Sequence, residues 1–221
     1  GASIINESVD VSLDSDETRS VLEYLSRLTQ FMPDSVYAWD DGSNNRYMIS
    51  GIGSTTCNPP SPWAVAKRDS PAVAEQLWHH DNPRGPEGRF RTVTPSFWTI
   101  WGFSQNIPAA KDLLRHAATK DVVDKMVLAS QGYDLPTITS HLQSNDYWAN
   151  AEPPKGVLYN YPVRGDEKQI IVGYPAPAES AAIVYAQTLL PTLVARVTQG
   201  GESFDDAIDW AANEAELVSR G

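Results

Sequence analysis

The tightest constraint on this chain is the run Phe97-Trp98-Thr99-Ile100-Trp101-Gly102-Phe103-Ser104-Gln105-Asn106, which joins an aromatic, strand-like segment directly to a helix start. Side chains alternate faces along an extended backbone, so Phe97, Thr99, Trp101 and Phe103 are expected on one side and Trp98, Ile100 and Gly102 on the other. Trp98 and Trp101 then fall on opposite faces. One indole can fill a core while the other faces a cleft, its single N–H seeking an acceptor; burial of both is the alternative. Asn106 is placed to cap the following helix, and Pro108 sits in its first turn, where a missing N–H costs nothing.

At 221 residues the chain is long enough to bury a core in one or two domains. With 28 acidic against 17 basic residues its formal charge is -11, which argues against a nucleic-acid backbone or an anionic membrane surface as partner. Its apolar runs are too short to span a bilayer, and no basic, apolar and small-residue regions in series mark a secretory signal at Gly1. Cys57 is the sole cysteine, so no internal disulfide and no multi-cysteine metal site is expected.

In chain order, residues 3–5 and 9–13 read as short β-like pieces, the second alternating Val9, Val11 and Leu13 with polar residues. Asp14 or Ser15 then caps a helix carrying Val21, Leu22, Leu25 and Leu28, which Pro33 ends. Residues 47–49 and 53–57 read as a short apolar segment and a small-residue strand, and a helix is expected after Pro71. Residues 82–88 form a loop rich in breakers, leading into an extended run over 89–93. After Asn106 two helical stripes follow, Ala110, Leu113, Leu114 and Ala117, then Val122, Val123, Met126 and Val127, closed by Gly132. Residues 144–154 read as a helix end and loop, 169–172 as a brief strand, and 178–199 as the longest helix, kinked at Pro191 and ended by Gly200-Gly201. Ser203 with Asp206 caps a last helix that turns Phe204, Ile208, Ala211 and Ala215 inward.

Residues 36–46 bring together Trp39, Asp40, Asp41, Asn44, Asn45 and Arg46, combining a stacking face with acceptors, amides and a guanidinium fork. Sugars match that mixture: the ring's C–H face lies on an aromatic and each edge hydroxyl takes a donor or acceptor. Ordinary turn chemistry is the alternative for Asp-Gly-Ser-Asn. Pro59, Pro60 and Pro62 stiffen the loop carrying Asn58 and Trp63, which suits rigid presentation of a binding group and equally suits a strand-to-helix connector. Gly51 and Gly53 lack the Gly-Lys-Ser/Thr ending of a phosphate loop. His79-His80-Asp81 invites a metal, but adjacent histidines point apart and His116 and His141 lie on separate segments, so no metal and no cofactor is expected.

Taken in order, Trp39-Asp40-Asp41 with Asn44-Asn45-Arg46, Ser50-Gly51 leading to Asn58-Pro59-Pro60-Ser61, Pro83-Arg84-Gly85-Pro86, Phe97-Trp98 through Ser104-Gln105-Asn106 with Ala109-Ala110-Lys111, Gly132-Tyr133-Asp134-Leu135-Pro136, and Gly200-Gly201 with Ala207 give the chain a family likeness. It resembles the C-terminal portion of extracellular (periplasmic) solute-binding proteins that feed ABC-type sugar importers. The resemblance implies an α/β fold, a helix-rich, periplasmic-binding-protein-like lobe that forms the C-terminal part of a two-lobe protein. It assigns 1–94 and 137–221 to the C-terminal lobe and 95–136 to a segment returning to an N-terminal lobe whose remainder is absent. It also implies a periplasmic location, no catalysis, a sugar or polyol as solute, the membrane permease of an ABC importer as partner, and open sheet edges through which a fragment can self-associate. Carried over by position, Asn58 reaches the cleft, the crossing run brings Trp98 or Trp101, and Trp39, Asp40, Asn45 and Tyr133 complete the candidate ligand-binding set. Maltose-type members often stack a sugar on a tryptophan directly after the positions of Gly51 and Gly53, and this sequence has none there.

Two other classes use similar residues. A carbohydrate-active hydrolase needs two acids at a set separation across the scissile bond, and no such pair stands out here. A non-catalytic carbohydrate-binding module, or a purely structural helical domain, accounts for the helices, and the second of these leaves the cluster from Trp39 to Trp63 without a purpose.

Overall fold

The computed structural model describes residues 2–80, 82–150, 168–171 and 173–219. Asp81, residues 151–154 and Val172, on which sequence expectations fell, lie outside that set. Contacts divide the chain into two compact units, Gly1–Trp39 with Phe90–Thr94 and Gln169–Gly221, and Asp40–Arg89 with Pro95–Lys168.

The first unit is built around helices α1 (Asp16–Leu28), α9 (Ala178–Ala186), α10 (Leu189–Thr198) and α11 (Phe204–Ser219). Ser15 caps α1 by accepting the Thr18 amide at 3.2 Å, and Leu22 is its buried contact residue. Ile5, Leu13, Leu22, Leu189, Leu193, Ile208, Ala211 and Ala215 form one buried cluster, as the helical spacing of the last helix requires. Arg19 ties α1 to α11 by bonding Asp205 at 2.8 Å, while its other arm meets Asp14 at 2.8 Å. Strands β1 (Phe90–Val93) and β2 (Lys168–Ile171) pair in parallel as a two-stranded sheet. The chain is thus helix-rich with a small parallel sheet, compatible with an α/β class.

Three local expectations are corrected. The β-like pieces at 3–5 and 9–13 reduce to a single antiparallel bridge, Ile5 with Val11, because the Asn6 side chain accepts the amides of Ser8 and Asp10, both at 2.9 Å, and curls the intervening loop. The long helix is two: the chain breaks at Thr188, which has φ 52, and bends by 45°. Pro191 then lies in the first turn of α10, where no helical acceptor waits for an N–H, so the break falls three residues before the proline. No single helix among the described residues is long and apolar enough to cross a membrane.

The second unit holds α2 (Ser43–Ile49), α3 (Ser61–Asp69), α4 (Pro71–Ala74), α5 (Ile107–Ala117), α6 (Lys120–Ala129), α7 (Thr139–Gln143) and α8 (Tyr147–Asn150). Its core is Trp63, Ala66, Ala74, Val127 and Trp148. Residues 47–49, read as a short apolar segment, close the helix α2, and 53–57, expected as a strand, form none. Gly53 instead lets the backbone pass the Tyr47 ring, to which an added Cβ would come within 2.4 Å. The run 97–103 is also irregular, turning where the Ser104 amide bonds the Trp101 carbonyl at 3.0 Å. Alternation fails because, among the described residues, no neighbouring strand offers this backbone a ladder. Helix α6 ends at Ala129, and beyond its cap Gln131 (φ 55) and Gly132 (φ 75) both take left-handed backbone; a Cβ on Gly132 would stand 2.5 Å from the Tyr147 ring.

Candidate functional site

Asp40 begins the local order. Its Oδ1 accepts from the Gly42 amide at 3.0 Å, the Ser43 hydroxyl at 2.7 Å and Arg46 Nη2 at 2.6 Å, while its own amide donates to Ser43 Oγ at 3.0 Å. Asx chemistry of this kind winds the chain into α2. The Ser43 hydroxyl and then the Arg46 guanidinium hold the Asp40 carboxyl below the ordinary carboxylate range. Asp40 is therefore a structural group whose hydrogen bonds are spent on the helix start.

One turn of helix farther on, Asn45 faces the proline-stiffened loop. Asn58 Nδ2 donates to Asn45 Oδ1 at 2.8 Å and to Ser61 Oγ at 3.1 Å, Asn45 Nδ2 donates to Ser61 Oγ at 3.2 Å, and Ser61 Oγ lies 3.3 Å from Asn45 Oδ1. The prolines explain the rigidity. Pro59 and Pro60 fix φ just before α3, and Pro62 occupies its first turn, so Ser61 and Asn58 are set with little entropy left to lose. Trp63, one residue past Pro62, turns the other way into the core at 3% exposure.

These side chains line a depression of about 260 Å³ together with Asp41, Ala64, Val65, Ser130 and Tyr133. Ser130 Oγ is occupied, donating to the Val127 carbonyl at 3.2 Å and accepting the Asp134 amide at 3.0 Å. Tyr133 stands at the rim, 44% exposed, directly after the turn that Gly132 makes possible. Sites for drug-sized ligands run to about 300–1,000 Å³, so this one suits a smaller solute.

The structure brings together three of the seven residues expected at a ligand site, Asn45, Asn58 and Tyr133. Asp40 stands beside the lining residue Asp41 and does not itself line the depression. Trp98 and Trp101 are 72% and 70% exposed and do not line it; Trp101 stacks on Phe103 with ring centroids 5.6 Å apart. Trp39 belongs to the other unit, where its Nε1 donates to Ser35 Oγ at 3.2 Å. Asp41, Ser61 and Ser130 are lining residues that the sequence did not single out as ligands. Asp41 and Ser61 sat inside quoted motifs, whereas Ser130 carried no signal beyond its place before Gly132.

A second, larger hollow of about 630 Å³ lies in the first unit, lined by Thr29, Asp34, Tyr37 and Thr198 among others. Three of its hydroxyls are committed to the fold, while Ser26 Oγ is buried without a partner among the described residues. Thr29 Oγ1 donates to the Leu25 carbonyl at 2.9 Å, Thr198 Oγ1 to the Val194 carbonyl at 2.8 Å, and the Tyr37 hydroxyl to Thr198 Oγ1 at 2.9 Å. The smaller depression is the better candidate because it gathers Asn45, Asn58 and Tyr133 around one hollow. Among the described residues no group of three or more His, Cys, Asp or Glu is placed to hold a metal ion. In comparisons with known proteins, no family model and no curated protein matches this chain.

Proposed function

We propose that this chain is a solute-binding lobe of the periplasmic-binding-protein kind, which holds a small polyhydroxylated solute, a sugar or polyol, for delivery to the membrane permease of an ABC importer. The observation that carries this reading is the Asn45, Asn58 and Ser61 network, which presents amide and hydroxyl groups in fixed positions around a hollow of about 260 Å³ with Tyr133 at its rim. Hydroxyl-rich solutes need fixed donors and acceptors at the ring edge and an aromatic or apolar surface for the ring face, here Tyr133, Ala64 and Val65. The order of motifs from Trp39 to Ala207 supports the same family and, with it, a periplasmic setting and binding without turnover.

Titration calorimetry of the chain with a panel of monosaccharides and polyols tests the reading. Asn58→Ala is expected to weaken binding about five- to tenfold, the worth of one or two hydrogen bonds, with little change in melting temperature because Asn58 is exposed. Absence of binding across the panel, or an affinity indifferent to Asn58, overturns it.

A further inference from the structure

The depression's free hydrogen-bonding capacity is lopsided. Both N–H groups of the Asn58 amide are spent, on Asn45 Oδ1 and Ser61 Oγ, which leaves Asn58 Oδ1 without a partner among the described residues. Asp41 likewise makes no hydrogen bond and no ion pair among the described residues, so both carboxylate oxygens are open to a ligand. Against these acceptors stand one N–H of Asn45 and the Tyr133 hydroxyl, which can donate or accept. Among the described residues no lysine, arginine or histidine lines the hollow, and the nearest arginine in sequence, Arg46, is engaged by Asp40 at 2.6 Å. A site with surplus acceptors and an uncompensated carboxylate complements a ligand rich in donors and positive in charge. The chain's charge of -11 draws a cation toward it as well.

We infer that the solute is an amino sugar or amino polyol whose protonated amine sits on the Asp41 carboxylate and Asn58 Oδ1 while its hydroxyls meet Asn45 and Tyr133. This inference rests on the polyhydroxylated-solute reading above and narrows it by charge. Asp41 acts as the specificity-determining group: it favours the ammonium, accepts hydroxyls from neutral sugars less strongly, and repels uronates and sugar phosphates.

Calorimetry with matched pairs in mildly acidic, low-salt buffer tests it, using glucosamine against glucose, galactosamine against galactose and mannosamine against mannose, with N-acetylglucosamine and glucuronate as uncharged and anionic controls. At least one amino sugar is expected to bind about two- to fivefold more tightly than its hydroxyl partner, the range of an exposed ion pair, and glucuronate more weakly than glucose. Asp41→Asn should erase the preference, Asp41→Glu should keep it, and added salt should shrink it. Because Asp41 makes no hydrogen bond or ion pair among the described residues, the melting temperatures of both variants should match the parent. Equal affinities within every pair, or a preference that survives Asp41→Asn, overturn the inference while leaving the polyhydroxylated-solute reading intact. Failure of every probe to bind the folded protein overturns both.

Discussion

At the scale of single residues, the tryptophans and the histidines separate by what surrounds them. Trp98 and Trp101 are largely exposed, so Trp98→Ala and Trp101→Ala are expected to change stability by about 0.5 kcal/mol or less and to leave small-solute affinity unchanged, as urea titration and calorimetry will read. His79 is different. Burial, and then the neighbouring His80 charge, push its pKa down to about 4 from 6.5, and its ring meets Trp63 edge-on at 5.9 Å. The unfolded chain therefore binds a proton at this site between about pH 6.5 and about pH 4 that the folded chain does not. Stability from His79 is present above pH 6.5 and falls as the pH drops through that window. His79→Phe should flatten that part of the pH dependence of the unfolding midpoint; an unchanged slope would show that His79 does not carry it.

Among elements, the ends of helices decide more than their lengths. Helix α6 stops at Ala129, past which Gln131 takes φ 55 and Gly132 φ 75, and this turn sends Tyr133 to the rim of the depression and leaves room for Tyr147 and Trp148 beneath it. Gly132→Ala combines a left-handed backbone with a Cβ 2.5 Å from the Tyr147 ring, and a loss of about 1–3 kcal/mol is expected in chemical denaturation, together with weaker solute binding. The link from α6 to the following segment is reinforced by Asp124, which accepts from Lys120 and, at 2.7 Å, from Asn145 Nδ2. Lys120 and then Asn145 hold the Asp124 carboxyl below its ordinary range.

For the whole molecule, each compact unit has its own core. Leu193→Ala removes a fully buried side chain from the first unit, and about 2–5 kcal/mol of stability should go with it. Trp63→Ala empties the core of the second unit at a cost of about 3–5 kcal/mol. Only the second change is expected to weaken solute binding in the protein that remains folded, because Trp63 and Ala66 anchor one face of α3 while Ser61, Ala64 and Val65 on that helix line the depression. Differential scanning calorimetry with and without solute distinguishes the two variants, since a ligand raises the melting temperature only of the structure that binds it.

What the sequence determined by itself was local. Ser15 and Ser203 as caps, Gly200-Gly201 as a helix end, the inward stripe of Ile208, Ala211 and Ala215, and extended runs read at 89–93 and 169–172 and found at 90–93 and 168–171 all follow from spacing and from side chains that bond their own backbone. Asn45 and Asn58, singled out in the sequence as polar groups near stiffening prolines, do line one depression. The tertiary structure decided the rest. Strands need partners, and a sequence does not display them, so the aromatic run at 97–103 and the small-residue run at 53–57 alternate on paper and lie irregular in space. Whether a side chain serves a ligand or its own helix depends on which hydrogen bonds are already taken. Asp40 and Asp41 are neighbours of one chemical kind, yet Asp40 commits Oδ1 to Gly42, Ser43 and Arg46 while Asp41 bonds with neither oxygen among the described residues, and only the folded geometry separates them.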